Sequence, residues 1–111
     1  MLYTEFVAGG KEYKLRLTTR NIIALEKSIG CNPLMLFGSG DRIPTITEMV
    51  AVLHSSLQSY QHGIALNEAF DIFDAFLADG NGITDFIPVM IDIYKASGLI
   101  AEQSKAEEEK N

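Results

Sequence analysis

Hydrophobic and polar residues alternate at the start of the chain, with the period of a β-strand that buries one face. The alternation runs through residues 2–8 and 11–17, and Gly9-Gly10 separates the two segments. Both glycines can adopt a positive φ, so the pattern predicts a β-hairpin closed by a two-residue turn. The position of the turn sets the register of the two strands. On one side, which is largely apolar, it pairs Leu2 with Leu17, Thr4 with Leu15 and Phe6 with Tyr13. On the other side it pairs Tyr3 with Arg16 and Glu5 with Lys14.

The pattern changes to a helical period after the hairpin and keeps it to about residue 97. Four helices are predicted, at about residues 20–29, 46–60, 66–78 and 85–97. Polar side chains that can cap a helix precede three of them: Thr18 and Thr19, then Thr45 with Glu48 as a capping box, then Thr84. The predicted fold class is therefore α+β, mainly α, with an N-terminal β-hairpin followed by about four helices.

Each predicted helix has an apolar stripe that we expect to face the core. The stripes are Ile22, Leu25 and Ile29 in the first helix, Ile46, Met49, Val50, Leu53, Leu57 and Tyr60 in the second, and Leu66, Ala69, Phe70, Phe73 and Leu77 in the third. Ile72 and Phe76 lie beside the stripe of the third helix. Ala51 and His54 fall on the opposite side of the second helix, so His54 is expected to be a solvated surface histidine. The fourth helix carries two stripes, Phe86, Val89, Met90 and Ile93 in one and Ile87, Ile91 and Tyr94 in the other. It is predicted to be either the central helix or a helix that also contacts a neighbouring molecule.

Four consecutive apolar residues follow Pro33, in a short segment between the first two helices: Leu34, Met35, Leu36 and Phe37. One surface turn cannot point all four side chains inward. Two interpretations remain open, a short buried segment, which the pattern favours, and a partly exposed apolar patch.

Length and composition predict a single domain. A chain of 111 residues with 47% hydrophobic residues can bury a core without disulfides, and Cys31 is its only cysteine. From residue 101 the composition turns to Glu and Lys without a large apolar residue. We expect one helical domain over residues 1–100 and a disordered acidic tail over residues 101–111.

Charge and hydropathy narrow the classes of function. The net charge is −6 and no run of basic residues occurs, which argues against a nucleic-acid surface. No apolar run approaches the 18–20 residues or so that span a bilayer, and no signal peptide is visible, so we expect a cytoplasmic protein without a membrane partner.

No constellation of residues predicts catalysis, a metal or a cofactor. Asp79-Gly80-Asn81-Gly82 has the appearance of part of a calcium loop, but Leu77 and Pro88 stand where its first and last ligands belong. His54 and His62 have no further ligand residue beside them that would complete a metal site. The sequence is therefore interpreted as a binding or assembly protein and not as an enzyme.

The order of these parts resembles the tail assembly chaperones of long-tailed phages and Gram-positive prophages. The resemblance covers about residues 3–100 and is carried by packing and capping motifs: Tyr-Thr-Glu-Phe, Lys-Glu-Tyr-Lys-Leu-Arg-Leu, Ile-Ile-Ala-Leu-Glu-Lys-Ser-Ile-Gly, Ile-Pro-Thr-Ile-Thr-Glu-Met-Val and the final Ser-Gly-Leu-Ile. It implies a protein that binds the tape measure protein, keeps that long apolar helix in solution during assembly, forms homo-oligomers and is absent from the mature virion.

Such a chaperone needs adaptable apolar surface. The residues expected to supply it, and so to bind the partner, are Leu34, Met35, Leu36, Phe37, Ile87, Ile91 and Tyr94. The alternative is a small regulatory or adaptor protein of a prophage or mobile element that sequesters a protein partner. The free edges of the hairpin and the apolar circumference of the fourth helix also predict self-association.

Overall fold

The computed structural model describes residues 2–37 and 42–101 and confirms the predicted fold class. A two-stranded antiparallel sheet precedes four helices: β1 (Thr4–Ala8), β2 (Lys11–Leu15), α1 (Thr19–Ile29), α2 (Ile46–Leu57), α3 (Leu66–Ala78) and α4 (Phe86–Ser97). Two short 3₁₀ turns, Pro33–Phe37 and Ile83–Asp85, precede α2 and α4. Residues 38–41 and the part of the predicted tail beyond Ala101 lie outside the described residues.

The hairpin has the predicted register. Thr4 pairs with Leu15, Glu5 with Lys14 and Phe6 with Tyr13, and Gly9 and Gly10 close the turn with φ of 59° and 76°. The inward side of the hairpin is buried against α3 and α4, since Phe6 and Leu15 are almost inaccessible. The apolar alternation thus places one face of the sheet on the helical core.

The predicted pairing does not extend to Leu2. This side chain is 69% exposed, although Leu17 is buried, because the ladder ends at the pair Thr4 and Leu15. Beyond that pair, the amide of Arg16 donates to the carbonyl oxygen of Ser56 at 2.9 Å. The second strand therefore leaves the first and turns toward α2.

The central helix is α2. Eight of its residues are buried: Met49, Val50, Ala51, Val52, Leu53, Ser55, Ser56 and Leu57. It contacts α1, α3, α4 and β2, so it has neighbours on several sides. The sequence prediction of a wet side at Ala51 and His54 is therefore wrong. Ala51 is buried, and His54 is half-buried with Nε2 3.0 Å from the carbonyl oxygen of Ile64.

The helix α3 has the predicted bounds, and its buried side keeps Ala69 and Phe73 of the predicted stripe but is shifted toward Ile72 and Phe76. Its buried residues are Ala69, Ile72, Phe73 and Phe76, whereas the predicted core residues Leu66 and Phe70 are 47% and 45% exposed. The reason is an aromatic cluster, in which Phe6 and Phe86 pack against Phe73 and Phe76 with ring centroids 5.1–5.9 Å apart where they meet. This cluster turns the Ile72, Phe73 and Phe76 side of the helix inward and leaves Phe70 outside.

The start of α4 also differs from the prediction. The helix begins at Phe86 after the 3₁₀ turn, and Thr84 lies within that turn and does not cap α4. The side chain of Asp85 belongs to the 3₁₀ turn, because its Oδ2 accepts the amide of Gly82 at 2.7 Å and it makes no capping hydrogen bond to α4. No described helix has the length and apolar character required to cross a membrane.

Candidate functional site

An apolar groove opens on the surface where the end of α1, the start of α2 and the first turns of α3 meet. Its volume is about 630 Å³. The large apolar side chains of its lining that are exposed to solvent are Ile46, Leu66 and Phe70, each between 45% and 51% exposed. Val50 and Phe73 lie in its lining and belong to the buried core. The groove is therefore an apolar surface continuous with the core.

The N-terminal cap of α2 shapes one wall of the groove. Thr45 Oγ1 accepts the amide of Glu48 at 3.1 Å, and Glu48 Oε1 accepts the amide of Thr45 at 2.9 Å, which is the predicted capping box. Arg42 donates to both carboxylate oxygens of Glu48 at 2.7 and 3.0 Å and to the carbonyl oxygen of Leu36 at 2.9 Å. One guanidinium thus ties the 3₁₀ turn Pro33–Phe37 to the start of α2.

This hydrogen-bond network lowers the pKa of the Glu48 carboxyl. Burial alone raises its pKa, but the hydrogen bond from the Thr45 backbone and the hydrogen bonds and charge of Arg42 outweigh burial and hold the pKa below its usual value of 4.5. The folded protein consequently favours the ionised form more than the unfolded chain does. The resulting stabilisation is present above pH 4.5 and is lost as the pH falls through the folded pKa.

Glu48→Gln tests this assignment, because glutamine can keep the capping box and loses only the charge. We expect the variant to unfold with a free energy about 0.5–1 kcal/mol lower at pH 7. The difference from the native protein should shrink as the pH falls below 4.5. Urea unfolding at pH 7 and at pH 3 measures this difference in the free energy of unfolding. The variant Arg42→Gln and the double variant complete a double-mutant cycle, which gives the coupling energy between Arg42 and Glu48. A coupling between the two residues that is as large at pH 3 as at pH 7 would contradict the ion pair.

The exposed side of α3 is acidic. The helix carries three exposed carboxylates, Glu68, Asp71 and Asp74, and contains no Lys or Arg. Asp74 also lines the groove, one turn beyond Phe70. The groove is therefore an apolar surface bordered on its α3 side by negative charge.

The residues with the appearance of a calcium loop serve the fold. Asp79 Oδ2 accepts the amide of Gly9 at 2.8 Å, which fastens the hairpin turn to the end of α3. Asn81 Nδ2 donates to the carbonyl oxygen of Phe76 at 2.9 Å. Within residues 2–37 and 42–101, no three His, Cys, Asp or Glu side chains are grouped so that they could hold a metal ion.

The comparison with known protein families matches residues 4–111 to the family of unknown function DUF6096. The chain belongs to this family. No curated protein and no solved structure matches it significantly.

The structure divides the predicted partner-binding residues into three groups. Leu34 and Met35 are exposed, at 40% and 60%, and Phe37, Ile87 and Ile91 are half-buried. Leu36 and Tyr94 are completely buried, which corrects the expectation that they supply surface. The run of residues 34–37 is thus part buried and part exposed, so both interpretations of it hold for some of its side chains.

A contact between the 3₁₀ turn Pro33–Phe37 and α4 explains this division. Tyr94 donates its hydroxyl to the carbonyl oxygen of Pro33 at 2.9 Å, and its ring meets that of Phe37 at 5.6 Å. Burial raises the pKa of Tyr94, and the negative charge of Glu48 raises it further. The phenol is therefore a structural hydrogen-bond donor between the turn and the helix.

The groove residues Ile46, Leu66 and Phe70 were assigned to the core from the sequence. A signal for Phe70 was present, because Asn67, Asp71 and Asp74 surround it on the helix surface. The competing signal was the longer apolar run on the same helix. Periodicity alone does not decide which of two adjacent apolar sides of α3 is buried.

Proposed function

We propose that this protein is a phage tail assembly chaperone that binds an apolar helical segment of the tape measure protein. The observation that supports the proposal is the groove of Ile46, Leu66 and Phe70, which offers apolar side chains to a partner while the fold stays closed beneath them. The proposed function is binding without a catalytic step. It places the protein in the cytoplasm of the bacterial host and outside the mature virion.

The spacing of the exposed apolar side chains in the groove suits an amphipathic helix. Such a helix docks by inserting side chains spaced three or four residues apart into an apolar cleft. Leu66 and Phe70 present the same spacing from the α3 wall, and Ile46 faces the partner from α2. Each of these side chains is already about half-buried, so covering the part that remains exposed contributes roughly 0.7–1.5 kcal/mol before the cost of ordering the partner. This range suits reversible holding of a partner that is later released to the assembling tail.

The acidic border also favours this use. Asp71 and Asp74 repel acidic partners and attract basic residues at the edge of an apolar stripe. The net charge of −6 helps to keep a complex with an otherwise insoluble helix in solution. The expected partner segment is therefore an apolar helical stripe flanked by Lys or Arg.

The groove is tested by replacing its two α3 side chains together, as Leu66→Ser with Phe70→Ser. Because both are almost half exposed, the helical signal should remain, while capture of the tape measure protein should fall about tenfold or more. The measurement coexpresses the chain with the tape measure protein of the same gene neighbourhood. It then determines the soluble, copurifying fraction of that protein.

Ile23→Ser is the matched control, since Ile23 is 48% exposed on α1 and lies outside the groove lining. It should capture as much tape measure protein as the native chain. Equal losses in the control and in the groove variant would move the binding surface away from the groove. Failure of the native chain itself to retain the tape measure protein would refute the chaperone proposal and favour the regulatory or adaptor alternative.

A homo-oligomer also belongs to the proposal. Repeated copies would present several grooves to one long helix, and linked weak contacts hold more strongly than single ones. The exposed side chains of Leu34 and Met35 remain available for contacts between copies, separate from the groove.

A further inference from the structure

The two outer edges of the hairpin differ in their hydrogen bonding. The edge of β2 is closed by a side chain: the Lys14 amide donates to Gln61 Oε1 at 2.8 Å, and Gln61 Nε2 donates to the Lys14 carbonyl oxygen at 2.9 Å. At the end of the same strand, the amide of Arg16 donates to the carbonyl oxygen of Ser56, and the carbonyl oxygen of Arg16 accepts the hydroxyl of Ser59 at 3.1 Å. Gln61 thus takes the place that a neighbouring strand would occupy.

The outer edge of β1 is open. In a two-residue hairpin the pairs alternate between hydrogen-bonded and non-hydrogen-bonded, starting with a bonded pair at the turn. Glu5 and Val7, which pair with Lys14 and Glu12, therefore point their amides and carbonyls outward. The outward bonding of Lys14 to Gln61 agrees with this geometry. Throughout residues 2–37 and 42–101, no hydrogen bond outside the ladder reaches the backbone of Glu5 or Val7.

A shallow cleft follows this open edge. It has a volume of about 550 Å³ and is lined by Leu2, Tyr3, Thr4, Glu5 and Asp92. Its two charged residues, Glu5 and Asp92, are both acidic and both exposed. Lys14 faces Glu5 across the ladder, but its Nζ lies over the rings of Tyr3 and Tyr60, 4.9 and 5.8 Å from their centroids. The carboxylates at the edge are thus accessible to a cation brought by a partner.

We infer that β1 is a docking edge for an extended strand of another polypeptide, which pairs with the backbone of Glu5 and Val7 and places basic side chains beside Glu5 and Asp92. An unpaired strand edge of this kind is completed by an added strand, and charge selects which strand is added. A second copy of β1 is a poor occupant, because Thr4–Ala8 contains Glu5 and no Lys or Arg. Glu5 would then meet further negative charge in place of a cation.

The probe for this site is a soluble capped peptide of four Lys-Val repeats, titrated into the isotope-labelled full chain. The amides of Glu5 and Val7 should shift in the NMR spectrum and exchange more slowly with solvent. A peptide of four Glu-Val repeats should bind at least about tenfold more weakly, because like charges face each other across the new pair. The inference is overturned if both peptides bind equally, if the shifts centre on residues away from β1, or if copies of the chain pair through β1 and exclude the peptide.

Variants separate the backbone edge from the rest of the molecule. Val7→Pro removes an outward amide without removing a ladder hydrogen bond, and it should abolish binding of the Lys-Val peptide. Glu5→Lys leaves the backbone intact and should reverse the preference toward the Glu-Val peptide, so the inference stays testable if the proline variant fails to fold. Gln61→Ala uncovers the Lys14 edge and should add a second, weaker site. Unchanged peptide binding in both Val7→Pro and Glu5→Lys would overturn the inference.

The groove variant Leu66→Ser with Phe70→Ser should bind the Lys-Val peptide as the native chain does, since neither residue lines the β1 cleft. Loss of peptide binding in this variant would show that the peptide occupies the groove and would contradict the edge. The strand edge is thus tested independently of the proposed chaperone function.

Discussion

Phe86→Ala is expected to lower the free energy of unfolding by about 3–5 kcal/mol. Phe86 is completely buried at the start of α4. The ring centroids of Phe6, Phe73 and Phe76 lie 5.8, 5.3 and 5.9 Å from its own, so the truncation removes the centre of the contact between the hairpin, α3 and α4. The neighbouring rings are held by two different elements, β1 and α3, and cannot all move in to fill the cavity.

Urea unfolding followed by circular dichroism measures this loss. Phe70→Ala is the matched control, because it removes the same atoms from an α3 position that is 45% exposed. The control should cost less than about 1 kcal/mol, apart from the small change in helix propensity. Similar losses in both variants would show that the buried side of α3 is not the one described. The test of the groove with Leu66→Ser and Phe70→Ser also requires that the protein stays folded when Phe70 is replaced.

Leu36→Ala is expected to destabilise the fold by about 2–5 kcal/mol, although the residue lies in a short 3₁₀ turn. Its side chain is completely inaccessible, and its carbonyl oxygen accepts a hydrogen bond from Arg42 at 2.9 Å. The turn is fastened to the core by Leu36 and, through the carbonyl of Pro33, by the hydroxyl of Tyr94. Removal of Leu36 should loosen the link between α1 and α2.

The adjacent Met35 gives the matched control. It is 60% exposed, and Met35→Ala should change the free energy of unfolding by less than about 0.5 kcal/mol. Thermal unfolding of the two variants at equal concentration compares them directly. Equal melting temperatures would contradict the assignment of Leu36 to the core. A large loss of stability in Leu36→Ala would place Leu36 in the core and leave Leu34 and Met35 as the exposed apolar residues of this turn.

The exposed apolar residues were predictable only in part, and those of the proposed groove were not predicted. Leu34 and Met35 were predicted as candidate surface and are exposed, but the same prediction included the buried Leu36 and Tyr94. The opposite error occurred in the groove, where Leu66 and Phe70 were assigned to the core. Both errors have one cause. An apolar side chain gains free energy from burial, but the sequence alone does not show whether another element lies close enough to bury it.

The capping interaction at α2 was more accessible to prediction than the ion pair that supports it. The Thr45/Glu48 capping box depends on residues three positions apart and was recognisable from the sequence. The contribution of Arg42 to the same cap was not, because it depends on the path by which the chain enters α2. The lowered pKa of Glu48 depends on both the capping box and Arg42, so it follows only from the tertiary structure.

By itself, the sequence determined the features that depend on short separations along the chain. The hairpin register followed from Gly9-Gly10, the capping box of α2 from Thr45 and Glu48, and the bounds of α3 from its periodicity. Only the tertiary structure decided which helix is central, which side of α3 is buried and which edge of the hairpin stays open. These depend on packing between distant elements, such as the rings around Phe86 and the Gln61 side chain on the edge of β2. The physical reason is that turns and caps are satisfied within a few residues, whereas burial and edge pairing are set by whichever element arrives from elsewhere in the chain.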